Sequence, residues 1–201
     1  MIKKSAMLLL LVLLQLSALA QKTYQLDIKK SKILWDNRKT MGGHHGYMLF
    51  NSGSLAFSPN ADNNNGVFVI DMNNMKATDS DKPAENESVN KKLRQNNYFD
   101  MDKYPTAIMT VKQLVRTEKA NTYKVSGTLT IKSITNPVEF EATLRPKGNT
   151  INATAVTTID RLKWHIAMQA PNKPWDMFGA IQNKMIADQI LITLNLVFVK
   201  V

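Results

Sequence analysis

Polar and apolar residues alternate with a period of two along much of the chain. That spacing puts successive side chains on opposite faces of a strand. Residues 122–132 carry it most cleanly: Tyr123, Val125, Gly127, Leu129 and Ile131 alternate with Thr122, Lys124, Ser126, Thr128, Thr130 and Lys132. Val138, Phe140, Ala142 and Leu144 repeat the pattern against Glu139, Glu141 and Arg145, and Ile151, Ala153, Ala155, Thr157 and Ile159 do so more weakly. Near the C-terminus, Ile190, Ile192, Leu194, Leu196 and Phe198 form one continuous apolar face. The opposite face of that segment carries Thr193 and Asn195 among apolar residues, so partial cover is expected there. Further strands are predicted near 23–29, 31–36, 45–51, 53–58, 66–72 and 107–115, several of them separated by turn-forming stretches such as Ser58-Pro59-Asn60 and Asn63-Asn64-Asn65-Gly66. One dry and one wet face per strand points to an antiparallel sheet closed over a core. Many short strands at fairly regular spacing give an all-β barrel or sandwich.

Two stretches break the period. Pro83 to Asn97 is polar, with Val89 and Leu93 four residues apart on one face, and predicts a short helix across an opening or edge of the sheet, capped by Asn86 or Ser88. Asp160 to Asp188 does not alternate and holds Trp164, Met168, Pro171, Pro174, Trp175, Met177 and Phe178. A loop this long in a compact domain is usually functional or poorly ordered, and its aromatic and Met content argues against disorder.

The N-terminus has its own logic. Lys3 and Lys4 precede an unbroken apolar run from Leu8 to Leu14, and Ser17-Ala18-Leu19-Ala20 ends it with small residues. This is the layout of a secretory signal peptide over residues 1–20, with a cut expected after Ala20. The run is too short for a membrane-spanning helix, which needs roughly 20 residues. The expectation is a soluble periplasmic protein comprising residues 21–201, about the size of one domain with one core.

Cysteine is absent, which excludes a disulfide framework, a thiol nucleophile and a thiolate metal site. The chain carries 26 basic and 16 acidic residues; without Lys3 and Lys4 the balance is 24 against 16, a surplus of eight. That sign favours anionic partners such as a membrane surface. Export and the scatter of the basic residues argue against nucleic acid. An outer-membrane barrel would turn its polar face into the lumen. Lys124, Lys132, Glu139 and Glu141 would crowd such a lumen, so charges outside and apolar residues inside fit better.

Catalytic and metal signals are weak. His44 and His45 are adjacent, so on a strand they face opposite ways and cannot jointly chelate. His165 has no carboxylate at ligand spacing. There is no Gly-x-Ser-x-Gly elbow and no phosphate loop. Asp79, Asp81, Glu85 and Glu87 lack the spacing of a calcium loop and read as a solvated helix start. Neither a metal nor a cofactor is expected. A hydrolase or isomerase at the barrel mouth, using His44 or His165, is the enzymatic alternative.

Several segments together resemble one family. Tyr98-Phe99-Asp100-Met101-Asp102-Lys103-Tyr104-Pro105-Thr106-Ala107 is similar to the FFDV-x-KYPTA segment of YceI-like proteins. Residues 123–131 resemble their Y-x-V-x-G-x-LT-I strand, and Ile134-Thr135-Asn136-Pro137-Val138 resembles the VTKPV that follows. Ile159-Asp160-Arg161 is similar to their I-N/D-R, and residues 186–192 to their final I-x-D-E-V-x-I strand. The chain departs from the pattern at Asn90-Lys91-Lys92-Leu93, at Ser133, where glycine is usual, and at Lys163-Trp164-His165, which replaces a D-F-G region. The resemblance implies a lipocalin-like antiparallel β-barrel of about eight strands with one short helix. It also implies a non-catalytic role in holding a lipid or polyisoprenoid chain inside the barrel.

The physics of such a role is simple. A barrel of about eight strands can hold one narrow ligand. At about 0.8 kcal/mol per buried CH₂, ten carbons give roughly 8 kcal/mol, near micromolar binding. The candidate ligand contacts are Phe68, Ile70, Met109, Tyr123, Val125, Leu129, Phe140, Leu144, Trp164, Phe178, Ile192 and Leu194; Trp164, Trp175 and Phe178 form either a lid or a satellite cluster under the long loop. Met48, Met72, Met109, Met177 and Met185 suit an adaptable wall, or serve as gap-fillers in an ordinary core. Beside the lipid carrier stands a second class: a structural or interaction barrel of the cell envelope with no bound lipid. A homodimer is compatible with either.

Overall fold

In the computed structural model, which describes residues 22–38, 43–59, 63–166 and 187–201, the alternating stretches all become antiparallel strands. They are β1 (Lys22–Leu26), β2 (Lys32–Asp36), β3 (His45–Phe57), β4 (Asn65–Ala77), β5 (Thr106–Arg116), β6 (Thr122–Ile131), β7 (Ile134–Lys147), β8 (Thr150–Asp160) and β9 (Gln189–Lys200). Helix α1 (Pro83–Arg94) lies between β4 and β5, and a single 3₁₀ turn (Arg161–Trp164) follows β8. The signal peptide expected over residues 1–20 lies outside the described residues.

The strands close into a barrel. From β3 to β9 each pairs with the next in sequence, and β1 and β2 together join β9 back to β3. Both short strands lie along the same two neighbours: Tyr24 faces Leu55 and Lys200, and Leu34 faces Tyr47 and Thr193. Nine strands therefore occupy eight positions around the wall. The stretch expected as one strand over 23–29 ends at Leu26, because Asp27 turns the chain by accepting from the amides of Lys29 and Lys30. Ser31, 2 % exposed, bridges the gap: its hydroxyl accepts from the Val197 amide at 3.0 Å.

Bulges account for two further differences. The strands expected at 45–51 and 53–58 are one strand, β3, and β4 runs past 72 to Ala77. Asn51 and Ser52 are successive exposed residues, as are Asn73 and Asn74, and the β3–β4 register shifts nearby, between Tyr47 and Leu49 and between Phe50 and Ser52. A bulge adds one outward residue without ending the strand, and in sequence such a polar doublet looks like a turn.

Helix α1 buries Val89 and Leu93, as its spacing requires. It starts earlier than expected, with Pro83 in its first turn, where a missing N–H is harmless. Neither Asn86 nor Ser88 caps it. The Asn86 amide instead reaches back to the backbone N–H and carbonyl of Ser80. Asn90 accepts from the Ala77 amide at 2.8 Å and so ties the helix to the end of β4.

The two ends of the barrel differ. The end carrying the start of β1 and the end of β9 is packed solid with Tyr24, Leu26, Phe57, Tyr123 and Ile151. The other end carries the β2–β3 connection, α1, the β6–β7 turn and the 3₁₀ turn. Lys124, Glu139 and Glu141 point outward and are exposed, so the charged face of the sheet is the outer one.

Candidate functional site

Inward side chains leave a hollow because several of them are short. Ala107 on β5, Ala142 on β7, and Ala153, Ala155 and Thr157 on β8 all line it. Ala142 and Ala155 face each other across β7 and β8. Opposite them stand larger residues such as Phe50, Phe68, Ile70 and Met72. The result is a cavity of about 340 Å³ with a predominantly apolar wall, within the usual size range of a small-molecule site. Met48, Met72, Met75 and Met109 all contribute to the wall.

The floor is aromatic. The Phe198 ring lies edge-on to Phe68 at 5.9 Å, and Phe68 edge-on to Phe50 at 6.5 Å. Gly53 makes room for this: a Cβ there would fall 2.7 Å from the Phe68 ring. Below, Phe57 and Tyr123 stack edge-on at 5.3 Å.

The mouth is polar-rimmed, with Asn37, Asp160, Arg161 and Lys163 among the lining residues, and Trp164 and Ile166 buried beside it. Trp164 is 1 % exposed and its indole N–H donates to the Leu129 carbonyl at 3.1 Å. Arg161 is also buried. Its guanidinium donates to the carbonyls of Ile166 (2.7 Å) and Ala187 (3.1 Å) and to the Asp188 carboxylate (2.8 Å). Lys132, on the β6–β7 turn, donates to the Asn96 carbonyl at 2.9 Å and so links that turn to the segment after α1.

Two ion pairs sit on the same rim. Asp36 accepts from Arg38, and that hydrogen bond, with the arginine charge, holds the Asp36 carboxyl below the ordinary carboxylate range. Burial pushes the Asp79 carboxyl up, but the hydrogen bond and charge of His44, 2.8 Å away, outweigh it and bring it below its usual value. His44 is thus engaged with an aspartate outside the cavity wall. Among the described residues, no three His, Cys, Asp or Glu gather as a metal site. The acidic residues at the helix start are engaged singly, Glu85 with Lys82 and Ser80, and Asp79 with His44.

Phe68, Ile70, Met109, Val125, Leu129, Phe140, Leu144, Trp164, Ile192 and Leu194 all face the cavity. Tyr123 does not; it belongs to the solid end, packed on Phe57. Phe178, Trp175, Met177 and Met185 lie outside the described residues. Wall residues not singled out from the sequence include Ile33, Trp35, Phe50, Leu93 and Phe99. Trp35 and Ile33 carried only the general signal of a short apolar strand, because the Leu34 between them is apolar as well. Leu93 carried one too, in its four-residue spacing from Val89, but that spacing marks a buried helix face and not a cavity wall.

Comparison with known proteins places this architecture. The YceI-like domain family matches residues 24–198. The crystal structure of Burkholderia cenocepacia BcnA superposes with a TM-score of 0.71 at 21% identity, covering 86% of this chain and 98% of that one. A polyisoprenoid binding domain from Saccharophagus degradans, implicated in plant cell wall breakdown, gives a TM-score of 0.60 at 17% identity, covering 90% of this chain and 100% of that one. The YCEI protein of Campylobacter jejuni gives 0.56 at 19% identity, covering 76% and 82%. At these identities the likeness is one of fold. No curated protein matches the chain.

Proposed function

The chain belongs to the YceI-like family, and from that premise we propose that it is an exported binding protein that holds a lipid or isoprenoid chain in the barrel interior. The observation that carries this reading is the hollow itself. Ala107, Ala142, Ala153 and Ala155 stand where larger residues would fill the core, and the wall around them is apolar. Interiors are normally packed to the density of organic crystals, so an apolar hollow of about 340 Å³ is a place for something else. A hydrocarbon chain gains about 0.8 kcal/mol per CH₂ on leaving water and needs no precise polar partner. The polyisoprenoid binding domain among the structural neighbours supports the same ligand class. Binding, not catalysis, is the activity we assign, with a non-covalent lipid and no cofactor.

The apolar run and small-residue site of residues 1–20 support export, with a mature start at Gln21 and a periplasmic place of action. The surplus of basic residues favours transient contact with an anionic membrane surface, where such a chain would be collected or delivered. Protein purified from the envelope fraction and extracted with organic solvent should release close to one lipid per barrel by mass spectrometry. An extract without lipid, from protein that also binds no added lipid, would sink the reading.

One observation favours a second reading. Leu34, Val156 and Leu191 are exposed on the outer face of β2, β8 and β9, and Thr193 joins Leu34 to Val156 across the sheet. An exposed apolar patch of this kind, flanked on β2 by Lys32 and Asp36, suits an interaction barrel.

A further inference from the structure

Among the described residues, the cavity reaches the mouth and is shut at the other end. Five large buried residues of the core, Tyr24, Leu26, Phe57, Tyr123 and Ile151, lie at the end where β1 starts and β9 finishes and take no part in its wall. Phe57 is 1 % exposed and Ile151 0 %. Phe198 is the boundary: it touches the cavity and is 2 % exposed, with Phe68 edge-on to it. Phe68 is itself wedged over Gly53, where a Cβ would come within 2.7 Å of its ring, so it has no empty space to swing into on that side.

Dimensions follow from the strand. The lined face of β9 runs from Ile190 to Phe198, which is about 26 Å along a strand and about 20 Å along the axis of a barrel with ordinary strand tilt. Spread over that depth, the 340 Å³ of the cavity corresponds to a bore of about 7 Å between wall surfaces once the radius of a water molecule is added on each side, wide enough for one hydrocarbon chain and too narrow for two side by side. The bore therefore admits one chain. A cavity of about 150 Å³ holds the six carbons of benzene, so this one holds about 14 carbons by the same ratio.

We propose that this barrel is a blind, single-chain tunnel that takes an unbranched or isoprenoid tail end-first and buries about 14 carbons of it, the rest of the molecule staying at the mouth beside Asn37, Asp160 and Lys163. The proposal rests on the lipid-binding reading and goes beyond it. The tunnel sets a chain length and an orientation. A long polyisoprenoid gains nothing inside the barrel beyond its first few units, so its affinity equals that of a short one with the same head.

The test is a chain-length series. Purified protein stripped of lipid is titrated with n-alkanoic acids of 8 to 22 carbons, each below its aggregation threshold, with displacement of anilinonaphthalene sulfonate as readout. Each added methylene should tighten binding about fourfold up to about 14 carbons by the cavity ratio above, after which the curve flattens. A dissociation constant that keeps falling steadily to 22 carbons overturns the blind tunnel while leaving lipid binding intact. If no acid of any length displaces the probe, the lipid-binding reading itself fails. Phe198→Ala should move the break to longer chains, and Phe198→Leu should do so to a smaller extent if the alanine variant does not fold. A folded variant whose break stays in place shows that Phe198 is not the floor and overturns the assignment.

Discussion

The guanidinium of Arg161 and the carboxylate of Asp188 meet at 2.8 Å, although 27 residues separate them. The arginine side chain is 6% exposed and the aspartate 56%. The same guanidinium holds the Ile166 and Ala187 carbonyls, so it gathers both ends of the 161–188 connection against the barrel rim. The partners are unequal. Truncating the arginine strands the buried Ile166 carbonyl and the part-buried Ala187 carbonyl and removes a buried charge, whereas truncating the aspartate leaves the arginine its carbonyl partners. Arg161→Ala should cost about 3–5 kcal/mol in urea unfolding, the range for breaking a buried pair, and Asp188→Ala only about 1 kcal/mol. Equal losses would show that the ion pair, not the carbonyl clamp, dominates.

Acid should loosen the rim. Asp36 and Asp79 both have native carboxyls below their ordinary values, Asp36 through the hydrogen bond and charge of Arg38, and Asp79 because His44 outweighs the effect of burial. On acidification the unfolded chain takes up these protons first. The stability they contribute is therefore complete above the ordinary carboxylate range and is lost as pH falls through the lower native values. Both pairs are partly exposed, which limits the joint effect to about 1 kcal/mol. The urea midpoint of the wild type should drop between pH 5 and pH 3 by more than that of Asp36→Asn/Asp79→Asn. A double variant with the same acid sensitivity would place the titrating groups elsewhere.

The wall was legible in the sequence and the hollow was not. In β6 and β7 the period of two placed every inward residue from Tyr123 to Leu144 correctly, because one charged face and one apolar face admit only one orientation. Asn51 and Ser52 concealed the continuity of β3, since a bulge and a turn share the same polar doublet. Whether the interior is empty depends on which inward residues meet. That Ala142 faces Ala155 is a fact of strand register, invisible along either strand alone. Tyr123 fell outside the cavity because it stands at the start of β6, packed on Phe57 at the closed end. Arg161 entered only as part of a resemblance, and its role appears only when Ile166 and Ala187 are brought to it.

Backbone conformation at the β6–β7 turn gives a stabilising substitution. Lys132 and Ser133 are both left-handed, with φ of 51° and 62°, as a two-residue turn between directly paired Ile131 and Ile134 requires. A side chain in that region costs roughly 1 kcal/mol, which glycine does not. Lys132 has a compensating bond to the Asn96 carbonyl, so the strain is better relieved at its neighbour. Ser133→Gly should raise the melting temperature by about 2–4 °C for a domain of this size. An unchanged or lower value would mean that the entropy glycine adds to the unfolded chain offsets the relief.

Ala155 separates a ligand cavity from an ordinary core most sharply, because the two readings give opposite signs. It is 6% exposed, points into the hollow and faces Ala142 on one side and Leu194 on the other. If these residues packed against one another without space, Ala155→Leu would be an overpacking substitution and would destabilise the fold by about 1–3 kcal/mol. In an apolar cavity the added carbons find room, and cavity filling commonly stabilises by about 0.5–2 kcal/mol. The same carbons occupy the bore. Removing the place of about three methylenes should weaken binding of a 14-carbon acid by roughly fiftyfold. The expected result is a variant that melts at or above the wild-type temperature and has lost most of its affinity for the chain. A variant that melts lower and still binds as tightly would show that Ala155 does not border the space the ligand uses.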